Sequence, residues 1–312
     1  MMTARISTIV LVSWLSISVS MISSFSPTSL LESNIRLSQQ LFHHKITNDD
    51  RRTFLTSSSL FHHKISSYDR RTFLTSSSSL VASTMISSSI TNAITPEQAS
   101  KSYDTYASTY NNLDGGSIAS SLGIDEARQD LLSKATGNVL EIGVGTGLNL
   151  NSYNYNNIKS LTLVDISNGM VEEAKLRINE IDTKDTSIKF VIADATSELT
   201  SLFGEETFDT VVDTFSLCVM GNEGAKRCLD QMTSVVKKKT GQIFLIENTR
   251  SSNPVLGAYQ DITASAAAQM GGKGCLYNQD VGKMIRQTKG LQLVKEEAFA
   301  GGVFRSFVCQ HI

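Results

Sequence analysis

Short apolar, β-branched runs separated by polar segments set the rhythm of the chain from Asn138 onward. Val139-Leu140-Glu141-Ile142 runs into glycines at alternate positions, Gly143, Gly145 and Gly147, and then a Leu-spaced segment. This pattern predicts a strand, a tight bend and a helix start. Leu161–Asp165 predicts a second strand, and the Ile188–Ala195 run, which includes Asp194, a third. Between them Val171, Ala174, Ile178 and Ile181 recur at three- and four-residue intervals and predict a helix over 171–181. Upstream, Tyr103, Tyr106 and Tyr110 share the same spacing, which puts the three rings on one helical face.

Composition divides the chain near residue 94. Residues 1–94 are crowded with Ser and Thr, hold four of the five histidines and carry a net charge of +4. Residues 95–312 carry 20 basic against 26 acidic residues, a net of −6, which would repel a phosphate backbone and argues against nucleic acid as a partner. That length suffices for one domain, and no second is required. Cys218, Cys228, Cys275 and Cys309 match no zinc or thioredoxin spacing, so no metal site is expected, and their apolar neighbours suit small buried hydrophobes.

The first 94 residues are expected to be a targeting leader. Arg5 precedes an apolar run from Ile9 to Ile22 that suits a signal-peptide core. Ser24-Phe25-Ser26-Pro27 then resembles the junction of signal and transit segments in proteins sent to complex plastids. A 19-residue block repeats: Leu41–Ile46 returns as Leu60–Ile65, and Asp50–Ser59 as Asp69–Ser78. Two copies are too few for a solenoid, so duplication within a segment free of folding constraint accounts for them. Arg70-Arg71, the weakly apolar stretch after it and Ala93 resemble a twin-arginine signal. The expected destination is a plastid, stroma or thylakoid, with a mitochondrion or another organelle membrane as the alternative.

The glycine bend holds the candidate chemistry. A dinucleotide fingerprint needs a third glycine three residues after the second. Counting from Gly143 puts Leu148 at that position, and counting from Gly145 puts Leu150 there, so the NAD(P) oxidoreductase reading is disfavoured. Three glycines at alternate positions instead suit backbone lying flat against a ligand. Asp165, 18 residues past Gly147, falls where a strand-end carboxylate can accept both hydroxyl hydrogens of a ribose.

The pattern Glu141-x-Gly143-x-Gly145-x-Gly147, with Asp165 and Asp194 closing the next two strands, resembles the class I S-adenosylmethionine (SAM)-dependent methyltransferases. The likeness, of the ubiquinone/menaquinone methyltransferase type, covers residues 103–310. Three further segments, Phe208–Cys218, Gly241–Ser251 and Gly274–Gly282, resemble the branch of methyltransferase-like protein 7 and a fungal mitochondrial membrane relative, with Asn248 where members usually carry His. That branch implies membrane association and a lipid, quinone or thiol acceptor. The implied fold is α/β and Rossmann-like: a seven-stranded, mostly parallel sheet with helices on both faces and an end hairpin of Leu291–Glu297 and Val303–Cys309.

SAM is the implied cofactor. Its expected contacts are Gly143, Gly145, Gly147, Asp165, Ile166, Met170, Asp194, Ala195, Thr214 and Tyr106, with Glu141 acting on the sulfonium-bearing end from a distance. Methyl transfer to a lone pair is largely a matter of alignment, and a base is needed only when the nucleophile arrives protonated. The domain has no histidine before His311, so the candidate bases are Asp213, Tyr259 and Asp261, the second and third in a Pro254–Met270 insert where related enzymes build acceptor specificity. A SAM-binding assembly factor without turnover fits the same residues.

Overall fold

The computed structural model describes residues 94–110, 120–270 and 274–312. The leader, with its duplicated block and arginine pair, lies outside the described residues. Seven strands form one sheet: β1 (Gly137–Ile142), β2 (Ile158–Asp165), β3 (Ser187–Ile192), β4 (Thr210–Thr214), β5 (Gln242–Asn248), β6 (Leu291–Phe299) and β7 (Phe304–His311). Their order is β3-β2-β1-β4-β5-β7-β6. β1 to β5 are parallel, and β7 runs antiparallel to both its neighbours. The α/β sheet expected from the sequence is present, with its end hairpin turning through Ala300–Gly302.

Both faces of the sheet are apolar because alternate residues of each strand enter different cores. Leu140, Val211, Ile243, Leu245 and Phe307 pack on one face, while Val139, Val212, Phe244 and Ile246 pack on the other. The first face is covered by α5 (Leu217–Val235) and α7 (Val281–Gln287), through residues such as Leu229, Met232 and Ile285. The second is covered by α2 (Ile124–Leu132) and α3 (Asn168–Ile178), through Leu131, Leu132, Ala174 and Ile178. The remaining α-helices among the described residues are α1 (Pro96–Tyr106), α4 (Leu199–Phe203) and α6 (Pro254–Met270).

Capping chemistry moves some predicted boundaries. α3 begins at Asn168, three residues before the expected start, because the Ser167 hydroxyl accepts from Met170 N and caps the helix there. It ends at Ile178, and Ile181 packs against the same core from outside the helix. β3 stops at Ile192, because the Asp194 carboxylate accepts from Thr196 N and turns the chain. The connection from β1 leads to β2 on one side, while β4 pairs on the other. This reversal opens a crevice at the carboxyl ends of the strands.

Candidate functional site

β1 delivers the glycine bend to the rim of that crevice. Gly143, Gly145 and Gly147 all have positive φ, at 62°, 54° and 80°, which a side chain would strain. A Cβ on Gly143 would lie 2.6 Å from the Ser216 Cβ, so this glycine lets the turn after β4 come close. A Cβ on Gly145 would meet nothing nearer than Gly143 O at 3.9 Å, leaving the backbone there bare. Val144 N donates to Val164 O at 3.1 Å and Arg177 Nε to Thr146 O at 2.8 Å, which tie the bend to β2 and α3.

The bend borders a cavity of about 570 Å³, within the range of small-molecule sites. Of the expected contacts, Gly143, Gly145, Asp165, Ile166, Met170, Asp194, Ala195 and Thr214 line it. Asp165 is buried, with Oδ2 accepting from Gly145 N at 2.8 Å and Oδ1 from Ser167 N at 2.9 Å. A carboxylate has about four acceptor positions, and with the Ile166 N–H also acting on it some of that capacity remains. Burial pushes this carboxyl up, against backbone N–H bonds that pull it down. Thr214 Oγ1 accepts from Asn149 Nδ2 at 2.9 Å.

Six expected site residues do not line the cavity. Glu141 shares a strand face with Val139 and is fully buried beneath the bend. Its carboxylate accepts from Asn149 Nδ2 at 2.9 Å and Tyr153 OH at 2.7 Å; burial raises its pKa to about 7 against those bonds. Its reach to the cavity runs through Asn149 to Thr214, in keeping with action from a distance. Gly147 serves packing, since a Cβ there would lie 2.6 Å from Leu150 Cδ1. Tyr106 stacks edge-on against Tyr103, and it is Tyr103 and Tyr110 that line the cavity. Asp213 is fully buried and accepts from Ser216 Oγ at 2.7 Å and Ser216 N at 3.2 Å, so Ser216 stands between it and the cavity. Tyr259 is half-buried on α6, away from the cavity lining. Asp261 is exposed, and the Arg250 guanidinium 2.8 Å away holds its carboxyl below the usual range.

Several lining residues escape sequence reading. Ile94, Thr95 and Ala99 bring the start of α1 to the cavity, and Thr95 caps that helix reciprocally with Gln98. Asp104 docks α1: its Oδ1 accepts from Ser167 Oγ at 2.6 Å and Gly169 N at 2.8 Å, at the amino end of α3. The tyrosine spacing pointed to this helix, but nothing in it singled out Asp104. Phe215, Ser216, Val219, Met220 and Leu276 form the wall beyond β4. Phe215 has a φ of +63°, a conformation costly for an aromatic residue.

Known proteins resemble this chain over the same region. A family described as "Methyltransferase domain" matches residues 139–239. Methyltransferase OMS1, mitochondrial, from Saccharomyces cerevisiae is 27% identical over 185 residues, covering 56% of this chain and 38% of that protein. Phosphatidylethanolamine N-methyltransferase from Cereibacter sphaeroides is 30% identical over 128 residues, covering 41% and 59%. The matches thus span less than two thirds of either curated relative. The solved N-methyltransferase NodS from Bradyrhizobium japonicum, in complex with S-adenosyl-L-homocysteine (SAH), has a TM-score of 0.50 at 16% identity, covering 69% of this chain and 98% of that one. The family match to a methyltransferase domain centres on the segment that builds the cavity rim, and the fold is shared with the solved N-methyltransferase.

Proposed function

We propose that the chain moves the methyl group of SAM to a small, hydrophobic acceptor by in-line displacement. One observation carries this reading: a bare Gly145 backbone and an Asp165 carboxylate with unused acceptor positions face the same cavity. These residues fit a nucleoside that bears hydroxyls and no diphosphate. Asp165 can accept from ribose hydroxyls, and the buried Met170 side chain offers an apolar wall. Asp194 lies at the far rim with its carboxylate already held by Thr196 N and Ser197 Oγ, which fixes its direction.

Bound SAM would supply an already activated methyl carbon. The chain's part is therefore to align the acceptor and exclude water. Tyr103 on α1, which Asp104 docks, and Tyr110 just after the turn that follows it are suited to closing over the site. Phe215, Val219, Met220 and Leu276 favour an apolar acceptor, and the name of the bacterial relative favours a lipid among the lipid, quinone and thiol options.

The leader suits an organelle address, and the name of the yeast relative favours a mitochondrion over a plastid. Among the described residues no helix is long and apolar enough to cross a membrane. The membrane contact we propose for the domain is peripheral.

Titration calorimetry with SAM, SAH and NADH tests the site, and labelled-methyl incorporation into lipid, quinone and thiol extracts tests the activity. Binding of SAM and SAH but not NADH, with label in one extract, is expected. Absence of SAH binding would overturn the reading. Binding without label in any extract would favour the assembly-factor alternative.

A further inference from the structure

Behind the cavity wall, two carboxyl groups are sealed from solvent at the ends of adjacent strands. Asp213 of β4 and Glu247 of β5 are both 0% exposed, and their side chains are in hydrogen-bonding contact. Asp213 accepts from the Ser216 hydroxyl and backbone, and Glu247 Oε1 accepts from Leu217 N at 3.2 Å. Glu247 Oε2 receives no donor. Among the described residues no Lys or Arg is hydrogen-bonded or ion-paired to either group. The other titratable neighbours are the Cys218 and Cys228 thiols of α5, the Cys275 thiol and the Glu141 carboxyl, none of them cationic at neutral pH.

Two like charges in contact in a low-dielectric interior are costly, and the relief is to keep one proton between them. A proton on Glu247 Oε2 also gives that otherwise unpartnered oxygen a bond to make, toward Asp213. Burial pushes both groups up.

This pair has an outlet. Ser216 lines the cavity while its hydroxyl donates to Asp213 Oδ2 at 2.7 Å. The strained Phe215 backbone sets up the turn that places Ser216, with Phe215 N bonded to Ile246 O at 2.9 Å. Gly143 leaves room for the Ser216 side chain on the opposite wall.

We propose that Asp213 and Glu247 form a one-proton carboxyl pair that takes up the acceptor's proton through the Ser216 hydroxyl, and that the acceptor atom is a protonated heteroatom such as a thiol, hydroxyl or ammonium. This deepens the methyltransferase reading above and rests on it. As the acceptor atom bonds to the methyl carbon, the carbon–sulfonium bond breaks and its electron pair stays on sulfur. The acceptor proton passes to Ser216 Oγ, ahead of the attack where the acceptor is an ammonium because its nitrogen must first regain its lone pair, and the Ser216 proton passes to Asp213 Oδ2. The pair then holds two protons and later returns one to solvent. Ser216 is the catalytic residue in this scheme, and Asp213 and Glu247 act through it.

Infrared spectroscopy of the full chain at neutral pH tests the pair without any acceptor. A protonated-carboxyl stretch is expected in the wild type and should be lost or shifted in Glu247→Gln and in Asp213→Asn. Because Glu141 contributes a band of its own, the difference spectrum against each variant is the reading. If one variant fails to fold, the other decides. In Ser216→Ala the exchange of that band into D2O should slow by about tenfold or more. An unchanged band in a folded variant, or unchanged exchange in Ser216→Ala, overturns the proposal. SAH calorimetry on the same wild-type sample separates the two ideas, since lost SAH affinity removes the cofactor reading while the band reports on the pair alone.

Discussion

Asp165 closes β2 and Asp213 sits one residue before the end of β4, yet the fold uses these two acids in opposite ways. Asp165 takes one backbone N–H on each oxygen and turns its remaining capacity to the cavity. Asp213 is roofed by Ser216, pressed against Glu247 and removed from solvent. What separates them is the chain that follows. After Asp165 the backbone bends away into α3, while after Asp213 a left-handed Phe215 folds the next residue back over the carboxylate. A strand-end acid faces the cavity or becomes an internal group according to what its own turn leaves uncovered.

The strongest way to break this contrast is to push the two walls apart. Gly143→Ala places a methyl group 2.6 Å from the Ser216 Cβ at a φ of 62°, straining both the bend and the turn that roofs Asp213. A loss of SAH affinity on the order of 100-fold, equivalent to about 3 kcal/mol, is expected in calorimetry.

A second prediction sharpens the cost of buried acids. Burial raises the Glu141 pKa from its ordinary 4.5 to about 7. The folded state therefore binds a proton more tightly than the unfolded chain, so stability from this group is full below about pH 4.5 and is lost as pH rises through 7. At about 1.4 kcal/mol per unit, the loss is on the order of 3 kcal/mol at most. Urea denaturation across this pH window should show a shallower decline in Glu141→Gln than in the wild type; equal slopes would contradict the assignment.

Asp104 tests the docking of α1. Asp104→Ala removes a helix cap worth about 1 kcal/mol and frees α1 from Ser167 and Gly169, so a several-fold weaker SAH affinity is expected without loss of the fold. The smallest effect is expected at Asp261, which lies outside the cavity lining. Asp261→Ala breaks only the exposed pair with Arg250 and should leave SAH affinity within about twofold of wild type. A large loss there would return α6 to the site.

Most of the cavity wall around the glycine bend was legible because its determinants are local. Glycines at alternate positions and acids at strand ends are set by backbone geometry over a few residues, and eight of those expected contacts line the cavity. The candidate bases fall outside the cavity lining for the opposite reason. Tyr259 and Asp261 sit in a plausible segment, but α6 directs neither into the cavity lining. Ser216 and Leu276 reach the same cavity from 60 residues apart, a proximity no local pattern encodes.

By itself, the order of residues determined the glycine bend, the three acids and the alternation that covers both sheet faces, since each follows from steric limits on φ or from period-two burial. Tertiary structure alone decided which carboxylate faces the cavity, that Glu247 lies against Asp213, and that Asp104 holds α1 in place. Those outcomes depend on which distant donor reaches a buried oxygen first, and only the packed chain supplies that neighbour.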